Sequence, residues 1–505
     1  MNKSATLPEE AGAGAIPAPD AAIASDVRII AVLSQFGVMQ LVLALTAVIR
    51  NKVVAFRLGP AAFGEYSQIA SVISVITAVV SFGMGVSLSR NAAKARSNPE
   101  RQRQLANANG IVLTLAIVAV TVAIALLLSG RLLPLVGLAH STALMGATAI
   151  FIMAIPFEGL KNNYLALLQG ILDVRGLAAG RSIGVLLATM LAVPIVWVLG
   201  FLGAGIQFLL LSALLALLLG LRCRQVGYAP LSVRLESPVL LQLASFGLVS
   251  LGASFASVFV DTAVRGTLIE SAGAAANGLL QAPYMLSQTV KAMVTASISS
   301  IALATIAPRD KREEIAAAVD KLLGVVIPVG ASSIGLLGLL GAPVLALLYS
   351  GAFVPGASLF RYVLVADLIH VFVWVIGANL LARGDRLLWL GLDLVQAGVR
   401  WTVAIALVPR FGATAVAIGY LAAVLLHLAL NLLVYRLYYQ IPLGRVHLSR
   451  LFVAAALVVA LSLVGQHAPS PVPLFAAGLT AWAGYTAYHA RRTGLLQALR
   501  ERLRR

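Results

Sequence analysis

Lys291 stands well inside a long apolar run, with no acidic residue within one helical turn of it. A charge at the centre of an isolated membrane span costs at least about 2.5–3.5 kcal/mol. Its partner must therefore come from another segment or from an anionic ligand. Asp261 and Arg265, four residues apart, can pair on one helix face. Asp367 and His370, three apart, suit either a proton relay or a polar pair that holds two helices together. Asp393 and Arg400 lie two turns apart and can pair with neighbouring helices. Glu158 sits between Pro156 and Lys161, which reads either as an ion site at a broken helix or as a plain helix end. Arg50 and Lys52 open the stretch to Tyr66 and read either as a cationic cavity mouth suited to phosphate or as snorkelling cations. Two candidate sets follow. Arg50, Lys52, Arg265 and Lys291 would bind an anionic group. Glu158, Asp261, Asp367 and His370 would couple an ion.

Other chemistries lack their residues. No lysine follows a glycine, so there is no ATPase-type phosphate loop. The six histidines form no HExxH, the single cysteine cannot make a thiolate metal site, and no Gly-x-Ser-x-Gly elbow occurs. Gly83-Met84-Gly85 has no strand or nucleotide context. The sequence thus predicts no catalytic residues, no metal, no cofactor and no enzyme activity.

The elements that must carry these charges are apolar. Of 505 residues, 60% are hydrophobic and 11% charged, far from a soluble domain. About 20 apolar residues cross the hydrocarbon. Spans are expected near 29–49, 66–89, 108–128, 141–160, 182–199, 201–221, 239–260, 275–298, 323–348, 359–381, 387–408, 412–435, 449–466 and 472–489. This is an all-α polytopic membrane protein of about 14 helices, with 12 or 13 crossings as the alternatives. The net charge of +18 concentrates in alternate loops. The sparse set of loops carries Arg50, Lys52, Arg57, Arg131, Arg265 and Arg410 and is assigned to the outside. Both termini are then cytoplasmic, and the basic excess reports topology and attraction to anionic lipid rather than nucleic acid.

The expected organisation is a disordered cytoplasmic tail at 1–27, an N-terminal lobe at 28–225, a C-terminal lobe at 226–440, two further helices at 441–490 and a basic cytoplasmic tail at 491–505. No loop is long enough for a soluble domain. Cys223 is read as inert. A weak parallel repeat relates the halves, with Gly170 against Gly384 and Gly203 against Gly412. Two such six-helix lobes commonly enclose a transporter's central cavity.

The stretch Lys52 to Tyr66, with Leu58-Gly59-Pro60 and Phe63-Gly64-Glu65-Tyr66, resembles the polysaccharide transport family of flippases. So does Ser81-Phe82-Gly83-Met84-Gly85 leading to Ser89-Arg90-Asn91-Ala92-Ala93. These are O-antigen and exopolysaccharide repeat-unit translocases of the multidrug/oligosaccharidyl-lipid/polysaccharide exporter superfamily. The chain departs from the pattern at Ala275-Ala276-Asn277 and at Ile298-Ser299-Ser300. The resemblance implies two six-helix lobes around a V-shaped cavity and two extra C-terminal helices. It implies an undecaprenyl-diphosphate-linked oligosaccharide, flipped across a bacterial inner membrane for exopolysaccharide, capsule or O-antigen. Arg50 matches an arginine that faces the cavity in related lipid II flippases, and Arg50, Arg265 and Lys291 would hold the diphosphate. Expected partners are the lipid-linked substrate and the bilayer, with a polysaccharide polymerase and export proteins as further candidates. A multidrug/cation antiporter of the same superfamily is the alternative. A membrane polymerase or ligase would need a large outer loop, and a non-transporting scaffold would not need buried charges.

Overall fold

The computed structural model describes residues 19–95, 99–139, 141–228, 231–232, 237–306, 309, 311–441, 444–466 and 472–492. Every regular element among these described residues is helical. In the first half, α1 (Pro19–Val80) is two arms joined at Gly59, whose φ of 75° and ψ of 176° favour glycine. Pro60 opens the second arm, where a missing N–H leaves no bond unmade. α2 (Met84–Ala95) follows a turn at Phe82 and Gly83, both at positive φ. Then come α3 (Pro99–Leu128), α4 (Leu132–Leu135), α5 (Thr142–Ile152) and α6 (Ile155–Gly170). α7 (Val174–Gln225) is again two arms, broken at Gly200 with φ 56° and ψ −125°.

The second half holds α8 (Ser237–Ala272), α9 (Ala274–Ile306), α10 (Arg312–Leu339) and α11 (Gly341–Leu348). A 3-10 segment, Gly351–Leu359, leads into α12 (Phe360–Arg383). α13 (Arg386–Phe411) and α14 (Ala413–Leu433) meet at Gly412, and one π turn, Val434–Tyr438, ends the half. α15 (Arg445–Gly465) and α16 (Val472–Arg492) follow.

The chain is an all-α polytopic membrane protein. Eight helical stretches among the described residues are long and apolar enough to cross a membrane, and Val174–Gln225 carries two expected spans across its break. Three expected spans are interrupted. Span 66–89 breaks at the 81–83 turn, span 141–160 between α5 and α6, and span 323–348 at Leu340. Pro156 explains the second break, because it tolerates only the first turn of a new helix. Residues 19–27, read as tail, are the start of α1. The remainder of that tail, and residues 493–505 of the basic tail, lie outside the described residues.

Four local geometries recur along the chain. Gly59 and Gly273, 214 positions apart, each stand at positive φ just ahead of a helix. Further on, Leu172 (φ 57°) repeats as Gly384 (φ 80°), and Gly200 repeats as Gly412 (φ 51°, ψ −129°), both 212 apart. Asp173 and Asp385, also 212 apart, each stand at the N-cap position of the next helix with nearly the same backbone angles, and only Asp173 makes the side-chain cap bond. The repeat is therefore real, but its equivalences are Leu172/Gly384 and Gly200/Gly412, not those read from Gly170 and Gly203. Packing repeats as well. α1 lies on α7 as α8 lies on α13, and α6 lies on α7 as α12 lies on α14. α15 packs on α10 and α12, and α16 on α10 and α15.

The halves meet along a tight seam. A Cβ on Gly64 would collide with the Ala274 carbonyl oxygen, and one on Gly278 with the Pro60 carbonyl oxygen. Gly64/Gly278 and Pro60/Ala274 are both 214 apart, so the contact is reciprocal, like the interface of a two-fold dimer. Asn277 Nδ2 donates to Gly64 O at 2.8 Å and to Ser67 Oγ at 3.3 Å. Gln68 Nε2 donates to Thr262 O and to Val136 O, both at 3.0 Å. Gly137 presses its backbone on Gly266, and Phe63 meets Tyr349 and Phe353 edge-on.

Candidate functional site

A cavity of about 350 Å³ opens within the second half, lined from α8, α9, α12, α13 and α14. All of its lining residues come from the C-terminal lobe, and none comes from the first half. α12 supplies its floor. The stretch Gly351–Leu380 has 83% of its most apolar window buried inside the protein, against 22% for α3, so α12 is central and α3 faces outward.

Lys291 finds its partner on α12. Its Nζ lies 2.8 Å from Asp367 Oδ1 and donates to Tyr420 OH at 3.1 Å. Tyr420 OH donates to Asp367 Oδ1 at 2.6 Å, Gln288 Nε2 donates to the same oxygen at 3.3 Å, and Ser287 Oγ donates to Asp367 Oδ2. Asp367 is fully buried. These four donors satisfy a carboxylate that could not otherwise remain there.

A second cluster lies beside it. Arg400 Nη1 contacts Asp261 Oδ1, while Arg265 Nη2 stands 3.7 Å from Asp261 Oδ2. The expected Asp261–Arg265 pair is thus the looser of two, because α13 brings in a better-placed guanidinium. Arg265 Nη1 donates to Ser71 Oγ across the seam at 2.5 Å. Arg400 lies 4.8 Å from the Tyr420 ring centroid and 5.8 Å from that of Tyr284, within cation–π range. Tyr284 and Tyr420 themselves meet edge-on at 5.9 Å.

His370 lines the cavity one turn from Asp367, but Asp367 is committed to Lys291, Ser287 and Tyr420. The expected Asp367–His370 relay is not assembled. Asp393 also lines the cavity and has His427 Nε2 at 3.9 Å from its Oδ1. Tyr284, Tyr420, Gln288 and His427 were not anticipated, since aromatic and amide residues in apolar spans read as packing.

The first-half candidates sit elsewhere. Arg50 is buried between α1 and α7 and donates from Nη1 to Thr189 Oγ1 at 2.8 Å, with no carboxylate within ion-pair range among the described residues. Lys52 is exposed, and neither cation lines the cavity. Glu158 is held by Lys161 Nζ at 2.6 and 2.7 Å and by Ser212 Oγ at 2.6 Å. Asp173 accepts from Arg222 Nε at 2.6 Å, and its counterpart Asp385 accepts from Tyr439 OH. Burial, then the bond to Asp385, keeps the Tyr439 phenol protonated well above its ordinary range. Cys223 is buried beside Tyr164.

No family model matches the chain. In sequence it is similar to the lipid III flippases of Escherichia coli (strain K12) and Shigella flexneri, 25% identical to each over 272 residues. That match covers 53% of this chain and 65% of either relative, less than two thirds of their length. In structure it is similar to the lipid II flippase MurJ in an inward closed conformation, with a TM-score of 0.71 at 12% identity, covering 92% of this chain and 99% of that one. An inward-facing multidrug resistance MATE family transporter of the MOP superfamily gives 0.61 at 15% identity, covering 83% and 99%. The chain therefore has the fold of MOP-superfamily transporters.

Proposed function

We propose that this protein is a flippase for a lipid-linked oligosaccharide, an undecaprenyl-diphosphate-linked repeat unit, in a bacterial inner membrane. The observation that carries the reading is the reciprocal Gly64/Gly278 seam, with its backbone-to-backbone contact between two-fold related halves. By the Lys/Arg distribution this end is the outer one and both termini are cytoplasmic. Alternating access then consists of parting this seam while the opposite end closes, with the six-helix lobes as the moving bodies. The prenyl chain stays in the bilayer. The similarity to lipid III flippases and to MurJ supports a diphosphate-linked glycan as cargo. Arg50, buried with no carboxylate in ion-pair range among the described residues, is the residue best suited to the diphosphate. Arg265 and Lys291 carry acids of their own and act within the second-half network. The product is a surface polysaccharide, and a polymerase and export proteins act downstream.

Depletion of the protein should make completed lipid-linked repeat units accumulate, detected by mass spectrometry of extracted lipids. Unchanged intermediates with unchanged surface glycan would reject the flippase. The Asp393 carboxylate in the cavity, together with the MATE-like fold, favours a second reading, a cation antiporter. Proton-driven extrusion of cationic dyes by the purified protein would support it.

A further inference from the structure

The second-half cavity is built unlike a phosphate trap. Its two cations are already matched, Lys291 by Asp367 and Arg400 by Asp261. Little cationic charge is left to hold a phosphate, whose recognition rests on charge-assisted bonds. Beside them along the walls stand Trp374, Trp389, Gln288, Gln396, Asn431 and Asp393. Indole faces are flat and apolar, and amide side chains offer donors and acceptors together. A pyranose ring needs this combination, a surface for its C–H face and paired partners for its hydroxyls. The volume of about 350 Å³ falls in the range of small-molecule sites, ~300–1,000 Å³.

Unused polar atoms point the same way. His427, 7% exposed, and Arg400, 8% exposed, line the cavity, and His427 Nδ1 and Arg400 Nε have no hydrogen-bond partner among the described residues. His427 Nε2 is too far from Asp393 Oδ1, at 3.9 Å, for a hydrogen bond. Both atoms are sealed from the cavity, so a ligand hydroxyl, donor and acceptor at once, reaches them only after a side-chain rotation. Buried polar atoms left without partners cost free energy that a ligand can recover.

We infer that this cavity is a glycan subsite, which takes sugar residues of the cargo and is separate from the diphosphate-binding Arg50. The inference rests on the flippase reading. Asp393 lines the cavity without a close ion pair among the described residues, so the subsite favours neutral or amino sugars over uronic acids, whose carboxylate Asp393 would repel.

The test uses the purified full chain in nanodiscs and two probes, the lipid-linked unit extracted from depleted cells and bare undecaprenyl diphosphate. Wild type should bind the glycosylated probe about tenfold or more tightly than the bare one. Trp374→Ala, Trp389→Ala and Gln396→Ala should bring that ratio toward one while affinity for the bare probe stays unchanged. Gln396→Ala serves if the tryptophan variants do not fold. A wild-type ratio of one, or a ratio that survives these substitutions, overturns the subsite but leaves the flippase standing. Failure of wild type to bind either probe, or of depleted cells to yield the unit, removes both.

Discussion

Gly64 and Gly278 approach so closely that neither has room for a methyl group, and each meets backbone of the other half. Two residues at equivalent places in an internal repeat thus touch each other. That happens only on the axis relating the halves, so rocking of the lobes would bear directly on this contact.

Gly64→Ala and Gly278→Ala should therefore each weaken the seam by about 1–3 kcal/mol, the usual cost of overpacking. With Cys223 replaced by Ser, disulfide crosslinking between cysteines placed at Ser67 and Asn277 should fall in either variant. Unchanged crosslinking would mean that the halves meet elsewhere.

Removing one partner of the Lys291–Asp367 pair leaves the other charge buried without its counter-ion, at a cost of about 3–5 kcal/mol. Lys291→Ala should lower the melting temperature in detergent, and Lys291→Ala/Asp367→Asn should recover much of the loss. Export that stays abolished in the refolded double variant would assign the pair to transport rather than to stability.

Arg400 is held by shape as well as by charge, between Asp261 and the rings of Tyr284 and Tyr420. A lysine cannot reproduce a planar, stacked cation. Arg400→Lys should lose about 1–2 kcal/mol of stability, comparable to a desolvated cation–π contact. A melting curve identical to wild type would contradict the stacking.

Asp173 caps α7 and binds Arg222 at the edge of the first half, away from the cavity. Asp173→Ala should cost about 0.5–2 kcal/mol, the range for a lost cap, with lipid-linked intermediates at wild-type levels. Accumulation of intermediates in this variant would tie the turn to transport.

Much of the fold was legible from simple signals. Apolar runs of membrane length marked the helices, and Gly59-Pro60, Gly200 and Gly412 marked where chain direction changes. The repeat was visible but slipped by a few residues. At the turn between α6 and α7 a leucine, Leu172, takes the left-handed place that Gly384 fills in the second half, and a search for glycines lands on Gly170 instead. The site was less legible. Lys291 is plainly out of place in an apolar run, yet nothing local identifies Asp367, because the pair forms where α9 crosses α12. Tyr284, Tyr420 and His427 stayed hidden because their polar tips matter only once three helices bring charges to them.

The central claim is best tested in proteoliposomes that contain only the purified chain and the lipid-linked unit extracted from depleted cells. Accessibility of the glycan to an added lectin or glycosidase reports its leaflet. The account predicts protein-dependent transfer of the glycan between leaflets, abolished when the seam is locked by the Ser67–Asn277 crosslink. No transfer above protein-free vesicles, with transport of cationic dyes in its place, would contradict it.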